Sequence, residues 1–403
     1  MHKIATPDFA ASLPEDMPRP LKVNFVISKD LKSKIFHDIF KRYLQFDPAL
    51  LEVTISEQPV DGAHVHHYHR PHLETELKAP AVVTVHHDPR DVDPWLEPRK
   101  FWAVYRQTAR IVCLNSLQVD DLAKEGLTNT LVIPHGYDDI IFSKEKKTFD
   151  PGRKVNIGIV SKRYDRRFKG DAYIFELVDR LDPERVRFTL VGAGRSLDAA
   201  RMREMGFEVD VFEFLPYRLF GDLYHRMDFL LMVSTYEGGP ANLPEALASS
   251  TPILCTNCGM VPDLIRDGEN GRILSGNIRD DMAMLDAIVD NRDGAADALF
   301  EGAHALQTAI TWEDVIAAPT AEVEDAIRPG GLAPTKAPRL QALLAEVKER
   351  APDFDLRELE EGETEFTFEQ TASDLQLEPE EFVFAGPIKT TVTVQRLNES
   401  LSA

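Results

Sequence analysis

Residues 228–262 read DFLLMVSTYEGGPANLPEALASSTPILCTNCGMVP. The apolar run at the start predicts a buried strand that ends at Ser234, and a glycine-containing loop follows it. A helix is expected to open near Asn242, because Pro244 then falls in the first turn, where a missing N–H group is tolerated. The apolar run TPILC predicts the next strand. This strand, loop, helix, strand order is typical of a parallel α/β sheet.

The same alternation of apolar runs and amphipathic stretches continues in both directions from this segment. One series runs from LKVNFVIS to TLVIP, and a second runs from VNIGIVS to TPILC after the polar link SKEKKTFDPGRK. Two consecutive α/β series predict two facing domains, each built on a parallel sheet with helices on both faces. A ligand is expected between the domains, at the carboxyl ends of the strands.

These patterns divide the chain into four parts. We expect an N-terminal extension (1–20), a first Rossmann-like domain (21–145), a second Rossmann-like domain (146–328) and an acidic C-terminal appendage (329–403). Within the appendage, PRLQALLAEVKER predicts a helix and KTTVTVQRL predicts a strand. No single periodic pattern runs through it, so the sequence assigns it no function.

Composition and charge exclude several classes of protein. The 403 residues carry a formal net charge of −21, which disfavours nucleic acid or an anionic membrane as a partner of the whole surface. No apolar run is long enough to span a bilayer, and the first 20 residues do not resemble a secretory signal. We therefore expect a cytoplasmic protein with at most peripheral membrane contact.

The three cysteines are too few for a disulfide framework in a chain of this size. Two of them form Cys255-Thr-Asn-Cys258, a spacing also found in redox pairs and zinc sites. Since there is no second pair and no nearby pair of histidines, and the first cysteine closes an apolar strand, we predict two buried thiols without a redox or metal role.

Two carboxylates flank the loop and helix of the opening segment. Glu237 follows the strand and Glu245 lies eight positions later, inside the helix, so both can face one pocket. The free N–H groups at a helix start favour an anion such as a diphosphate. The segment therefore predicts an anion-binding pocket that also holds two carboxylates.

The glutamate pair at this spacing resembles the signature of retaining, nucleotide-sugar-dependent glycosyltransferases of family 4, which have the GT-B fold. Further segments resemble the same family: VIPHGYDDIIF (132–142), GIVSKRYDRRFKGD (158–171), GMVPDLIRDGENGRIL (259–274) and TWEDVI (311–316). The resemblance covers residues 20–328. It implies a GT-B fold and sugar transfer from a nucleotide-diphosphate sugar to a carbohydrate or other hydroxyl acceptor, in polysaccharide or glycoconjugate biosynthesis.

The resemblance also implies residue roles. The sugar and its leaving diphosphate would be handled by Glu237, His86, Lys169 and Arg163, with the two cations in place of a metal ion and no cofactor. Arg166 and Arg167 lie close enough to compete for the role of Arg163. The donor would be bound by Gly238, Gly239, Asn242, the N–H group of Leu243, Glu245 at the ribose, and Phe214 and Leu215 near the base.

One departure from the family and several alternatives stay open. The family has a Gly-Gly loop after its first strand, whereas SKDLKSK (28–34) has none, so Lys29, Lys32 or Lys34 would have to supply charge. The G-x-G of LVGAGRSL suggests a dinucleotide site and the Asp-x-Asp at 91–93 suggests a metal site, but neither pattern is complete. A non-catalytic sugar-binding protein and a GT-B nucleotide-sugar epimerase remain alternative functions.

The stretch HVHHYHRPH (64–72) holds five of the twelve histidines. Strand alternation sends His64 and His66 to one face and His67 and His69 to the other, so the five rings cannot converge on one metal ion. We predict packing beside the interdomain cleft, with His67 and His69 as acceptor-side contacts. His87 and Asp88, which follow His86 in TVHHD (84–88), are further acceptor-side candidates and would replace His86 if the alignment shifts by one.

Overall fold

The structure is a computed structural model. It describes residues 20–27, 34–45, 48–49, 51–74, 76–92, 99–163, 167–316, 365–370 and 388–393. The chain divides into two compact units, residues 1–331 and residues 332–403. The first unit holds both predicted α/β domains.

The first domain is a six-stranded parallel sheet with helices packed against it, as the alternating pattern predicts. Its strand order is β2-β1-β3-β4-β5-β6. Buried strands such as AVVTV and RIVC carry the β-branched residues that suit a sheet covered on both faces. The elements are β1 (Leu21–Val26), α1 (Lys34–Leu44), β2 (Leu51–Ser56), β3 (Val65–Tyr68), β4 (Ala81–Val85), α2 (Arg99–Tyr105), β5 (Arg110–Cys113), α3 (Ser116–Lys124) and β6 (Thr130–Val132).

The second domain is another six-stranded parallel sheet, ordered β12-β11-β10-β7-β8-β9. Short turns of 3-10 helix, Arg167–Lys169, Tyr217–Leu219 and Arg292–Gly294, precede three of its helices. The elements are β7 (Val155–Val160), α4 (Asp171–Val178), β8 (Val186–Val191), α5 (Arg195–Glu204), β9 (Glu208–Phe212), α6 (Phe220–Arg226), β10 (Phe229–Met232), α7 (Asn242–Ala248), β11 (Ile253–Thr256), α8 (Val261–Leu264), β12 (Gly271–Leu274), α9 (Ile278–Val289) and α10 (Ala295–Ala305).

Each sheet reverses its strand order at one point. In the second sheet β7 lies beside β10, and in the first sheet β1 lies beside β3. Loops leave such a pair of strands in opposite directions, which opens a crevice at their carboxyl ends. The loops after β7 and β10 therefore define where a ligand of the second domain binds, and the loops after β1 and β3 do the same for the first domain.

Residues 311–316, the last ones described in the first unit, return to the first domain. This part of the chain pairs with the interdomain segment, which lies between β6 and β7: Trp312 N–H donates to Tyr137 O at 2.9 Å. Residues 312–316 are helical. Val315 and Ile316 are buried in the core of the first domain, against β1 and α1. Here the helix predicted to begin at TWEDVI is confirmed over residues 312–316, and it holds the two domains side by side.

The cysteines of the second domain are buried, as predicted. Cys255 lies in β11 and Cys258 donates its thiol hydrogen to Ser234 O at 3.1 Å. Burial raises the pKa of the Cys258 thiol to about 12. A thiol that is protonated and enclosed in this way is not a nucleophile at neutral pH.

The second unit is described over two strands only. β13 (Glu365–Gln370) and β14 (Ile388–Thr393) pair antiparallel, with Phe366 opposite Val392. The predicted strand in KTTVTVQRL is confirmed over the residues of β14, whereas the helix predicted in PRLQALLAEVKER lies outside the described residues. Among the helices that the structure describes, none is both long and apolar enough to cross a membrane.

Candidate functional site

A cavity of about 370 Å³ opens at the point where the second sheet reverses its strand order. That volume lies at the lower end of the range typical of small-molecule sites. Its walls come from the loops after β7 and β10 and from α7, which contribute Ser161, Lys162, Ser234, Glu237, Asn242 and Glu245. The predicted carboxylate pair therefore faces one pocket.

Glu237 forms an ion pair with Lys169 inside this cavity. The lysine Nζ lies 2.5 Å from Glu237 Oε1, and Ser234 Oγ donates to the same oxygen at 2.7 Å. The two side chains are only 16% and 15% exposed, so little water screens the pair. The pairing places a positive charge and a carboxylate side by side at the cavity wall, where each can contact a different part of a ligand.

The backbone around Lys169 is fixed by the strand it faces. Thr235 N–H donates to Phe168 O at 2.8 Å, which ties the turn before α4 to the end of β10. Gly170 has φ of +77°, and an added Cβ would clash with Val233 O. Only glycine allows both the positive φ and this approach, so Gly170 holds Lys169 beside the end of β10, from which the loop carrying Glu237 begins.

Glu245 is buried in α7 and accepts two phenol hydrogen bonds. Tyr217 Oη donates to Oε1 at 2.9 Å and Tyr224 Oη donates to Oε2 at 3.0 Å. Burial raises the pKa of the carboxyl to about 7, although both phenol hydrogen bonds act in the opposite direction. The predicted contact of Glu245 with a ribose diol stays a prediction, and the two tyrosines were missed by the sequence reasoning.

The structure separates the basic residues predicted around this pocket. Lys162 and Lys169 line the cavity together with Arg195, a residue that the sequence reasoning missed. Arg163 instead pairs with Asp198 at 3.0 Å and lines a different surface cavity beside α4. Its predicted contact with a leaving diphosphate is therefore not seen in this conformation.

Arg195 is the most enclosed of these cations. It donates to Ser161 O at 2.9 Å and to Ser161 Oγ at 3.0 Å, and it pairs with Asp171 and Asp198. It therefore holds the loop after β7 in shape. The sequence signal for it was the G-x-G-R of LVGAGRSL, which instead suggested a dinucleotide site.

The start of α7 departs from one prediction. Leu243 is fully buried and its N–H group donates to Pro240 O at 3.2 Å, so it is not free for an anion here. The reason is that the chain turns at Pro240 just before the helix begins. Asn242 lines the cavity as predicted, donating from Nδ2 to Val160 O at 3.1 Å, while its Oδ1 has no hydrogen-bond partner among the residues that the structure describes.

Gly238 and Gly239 lie where the two domains meet. An added Cβ at Gly238 would lie 2.5 Å from His86 O, and one at Gly239 would lie 2.6 Å from a methyl carbon of Leu114. Asn115 Nδ2 donates to Gly238 O at 2.6 Å. The structure shows that both glycines admit a close approach of the first domain, and Gly239 also lines the cavity. Their predicted contact with a donor stays a prediction.

Through this contact His86 lies against the loop that carries Glu237. Its neighbours point elsewhere: the His87 ring packs on Phe101 with centroids 4.2 Å apart, and the Asp88 carboxylate is bound by both Nε and Nη2 of Arg90. Of the three candidates in TVHHD, His86 is therefore the residue placed at the interdomain contact. The acceptor-side roles of His87 and Asp88 gain no support from these positions.

Four of the five histidines of HVHHYHRPH divide between the two faces as predicted, and His72 lies in the 3-10 turn Pro71–Leu73. His64 accepts from Lys22 N–H on one face, while His67 and His69 stack on the other with centroids 4.4 Å apart. The latter two are only 7% and 4% exposed, which argues against their predicted direct contact with an acceptor. The ring of His69 instead faces that of His86, with centroids 5.0 Å apart.

Some predictions remain outside these observations. Lys29, Lys32, Asp93 and Arg166 lie outside the described residues, and the side chains of Lys34 and Arg167 are not described. Phe214 is 77% exposed and Leu215 packs at the edge of the second-domain core, so their contact with a base stays a prediction. In the part of the chain described here, no group of three or more His, Cys, Asp or Glu side chains is arranged to hold a metal ion.

Comparison with known proteins matches the second domain to a family model. Residues 154–291 match the model described as glycosyl transferases group 1, a stretch that includes Lys169, Glu237 and Glu245. The MMP alpha-(1->4)-mannosyltransferase of Mycolicibacterium hassiacum is 27% identical over 278 residues, which is 62% of this chain and 66% of that protein, just under two thirds. Both findings support a glycosyltransferase.

Solved structures show the same fold. Anabaena HepE in complex with UDP is 16% identical and has a TM-score of 0.55, covering 75% of this chain and 99% of that chain. Sucrose-phosphate synthase from Thermosynechococcus elongatus is 16% identical with a TM-score of 0.51, over 65% of this chain and 73% of that chain. The predicted GT-B fold is confirmed.

Proposed function

We propose that this chain transfers a sugar from a nucleotide-diphosphate sugar to a hydroxyl acceptor, with retention of configuration at the anomeric carbon and without a metal ion. The observation that carries the proposal is the Lys169–Glu237 pair in the cavity where the second sheet reverses its strand order. A ligand pocket is expected there on topological grounds alone. Lys169 supplies positive charge for the diphosphate, and Glu237 supplies a carboxylate for hydroxyls of the sugar.

The lysines of the cavity suit a leaving diphosphate. Lys162 and Lys169 line it, and Arg195 holds Ser161 directly after β7, next to Lys162. When the bond from the anomeric carbon to the diphosphate oxygen breaks, its electron pair stays on the diphosphate. Fixed cations stabilise that developing charge in the way a metal ion does in other transferases.

The acceptor hydroxyl is proposed to attack on the face from which the diphosphate leaves. The new bond then forms between the acceptor oxygen and the anomeric carbon, and the hydroxyl proton passes to the departing phosphate oxygen. Glu237 would contact hydroxyls of the transferred sugar near that carbon, and His86 would reach the sugar from the first domain. The protein mainly contributes placement and charge stabilisation.

The relatives indicate the donor class. One relative is named a mannosyltransferase, and HepE has been solved in complex with UDP-glucose. A hexose on a nucleoside diphosphate is therefore the proposed donor, and a glycan or glycoconjugate is the proposed acceptor. The cytoplasmic location expected from the sequence stays a prediction.

Donor binding can be tested by thermal shift. The full chain is melted with UDP-, GDP-, ADP- and CMP-sugars in the presence of EDTA, since a ligand that binds only the folded state raises the midpoint. We expect one nucleoside diphosphate sugar to stabilise the wild type at saturating concentration by about 2 to 3 kcal/mol, and Lys169→Met to respond much less. Lys154→Met, at a lysine that pairs with Glu208 and does not line the cavity, is the control variant.

Two outcomes would contradict the proposal. One is an unchanged unfolding midpoint across the donor panel, which would show that the cavity binds no nucleotide sugar of that panel. The other is a shift that disappears with EDTA, which would show that a metal ion and not the lysines carries the diphosphate.

A further inference from the structure

The imidazole of His86 is hydrogen-bonded to a second, buried imidazole. His69 Nδ1 lies 2.8 Å from His86 Nε2. His69 follows β3 and His86 follows β4, so the bond joins the ends of two adjacent strands in the first sheet. His69 is thereby linked to the interdomain contact through His86 and does not itself take part in it.

Aromatic rings enclose both imidazoles. The ring of Phe36 meets the His86 ring edge-on with centroids 4.7 Å apart, and Phe40 lies 4.9 Å from His69. His67 stacks on His69 with ring centroids 4.4 Å apart and is held through its Nε2, 2.7 Å from Thr84 Oγ1. The His69 ring therefore has little freedom to turn, and its position is fixed before any ligand binds.

The backbone that carries His86 is fixed as well. Gln118 Nε2 donates to Val85 O at 3.0 Å and to His87 O at 2.8 Å, the two carbonyl groups that flank His86. Two properties of His86 are still variable: the rotation of its ring and which ring nitrogen carries the proton. The hydrogen bond from His69 acts on both.

The unused nitrogen of His69 favours one arrangement of protons. His69 Nε2 is buried and has no hydrogen-bond partner among the described residues. If His86 donated to His69, the proton of His69 would have to sit on that nitrogen as an orphaned, buried N–H group, an arrangement rarely found in proteins. If His69 donates from Nδ1, its Nε2 is a bare nitrogen and no N–H group is orphaned.

We propose that His69 is a positioning residue that donates from Nδ1 to His86 Nε2 and so holds His86 with its proton on Nδ1. His86 then offers an N–H donor to the oxygen atoms of a bound sugar or diphosphate. This inference rests on the proposed function, because His86 acts on a donor only if one binds in the neighbouring cavity. His67 and Thr84 support His69 and do not contact the ligand.

Three variants of the full chain test the positioning role. His69→Phe keeps a ring of similar size but cannot donate, whereas His69→Asn keeps an N–H donor near the position of Nδ1. His72→Phe is the matched control, since His72 also packs on an aromatic ring, Phe101, at 4.3 Å. We expect His69→Phe to lower kcat by about tenfold or more with little change in donor KM, and His69→Asn to recover most of the loss.

The tautomer is read independently of activity. In the protein labelled with ¹⁵N-histidine, the nitrogen shifts of His86, assigned by comparison with His86→Phe, distinguish a protonated nitrogen from a bare one. We expect the proton on Nδ1 in the wild type and a mixture of tautomers in His69→Phe. A proton on Nε2 in the wild type, or identical His86 spectra in the two proteins, would overturn the inference.

The proposed sugar transfer and the positioning role of His69 can be contradicted independently of each other. If the wild type transfers no sugar, the proposed function is wrong while the spectra still report whether His69 orients His86. If the wild type is active and His69→Phe has unchanged kcat, the positioning role is wrong while the function stands. If His69→Phe does not fold, the wild-type tautomer and the kinetics of His69→Asn decide.

Discussion

At the scale of single residues, two glutamates of one cavity lie in different surroundings. Glu237 is paired with Lys169 and stays beside a cation, whereas Glu245 is enclosed and bound by two phenols. Both were predicted from their spacing and from the loop between them. Their different surroundings were not, because Tyr217 and Tyr224 lie far from them in sequence, and only the folded chain brings the phenols to Glu245.

The enclosure of Glu245 predicts a pH-dependent stability. Its pKa is raised from 4.5 to about 7, so the folded state holds this proton more tightly than the unfolded state. The contribution is fully present below about pH 4.5 and is lost as the pH rises to about 7, for a total of roughly 3 kcal/mol. Thermal melts of wild type and Glu245→Gln across this range measure it.

The glutamine variant cannot titrate but can still bond both phenols. We therefore expect the unfolding midpoint of Glu245→Gln, measured relative to that of the wild type, to rise between about pH 4.5 and 7 and to stay constant above that range. Glu301→Gln, an exposed glutamate on α10, serves as the control. A difference between wild type and Glu245→Gln that does not change with pH would show that Glu245 is not held in this way.

At the scale of elements, loops at the carboxyl ends of the strands build the site. The sequence located β7, β10 and α7 because apolar runs and a Gly-Pro loop mark them. It did not show that Gly238 abuts the end of β4, since that contact joins residues more than 150 positions apart in the chain. It also did not show that the guanidinium of Arg163 pairs with Asp198 of α5, and the predicted contact of Arg163 with a diphosphate stays a prediction.

The contact at Gly238 predicts a severe effect from a single methyl group. In Gly238→Ala the new Cβ would lie 2.5 Å from His86 O and 2.8 Å from His87 N, both of which are backbone atoms that cannot rotate away. We expect the loop to shift and kcat/KM to fall by about a hundredfold, with the midpoint of unfolding changed far less. Steady-state kinetics beside a thermal melt measure the two effects.

Gly152→Ala is the matched control for this substitution. Gly152 is exposed, and the atom nearest to an added Cβ there is a side-chain oxygen of Asp150 at 3.1 Å. Activity close to that of the wild type is expected for the control. Equal activity of Gly238→Ala and Gly152→Ala would mean that the contact with His86 is not needed for catalysis.

At the scale of the whole molecule, the second domain meets the first through α3 as well as through the glycines. Ser116 N–H, at the start of α3, donates to Asp263 Oδ2 of α8 at 2.8 Å, and Arg42 of α1 pairs with Asp138 of the interdomain segment at 3.0 Å. The two-domain architecture follows from the sequence pattern. These polar contacts do not, because an aspartate and a serine in the sequence carry no signal of their partner.

Removal of the α3 contact is expected to loosen the cleft. Asp263→Ala leaves the Ser116 N–H group without its carboxylate, so open arrangements of the two domains gain population. We predict a larger radius of gyration by small-angle X-ray scattering and a higher donor KM, by about threefold to tenfold. Glu301→Ala is the surface control, and unchanged scattering and KM in Asp263→Ala would contradict a role of this contact in closure.

The proposed reaction is sugar transfer with retention of configuration in the cavity that holds Lys169 and Glu237. The most direct measurement is proton NMR of the reaction of the full chain with the donor found by thermal shift and a panel of sugar acceptors, read at the first product formed. We predict a glycoside with the same anomeric configuration as the donor, formed in EDTA, and no product with Lys169→Met. A product of inverted configuration, or equal turnover by Lys169→Met, would contradict the account.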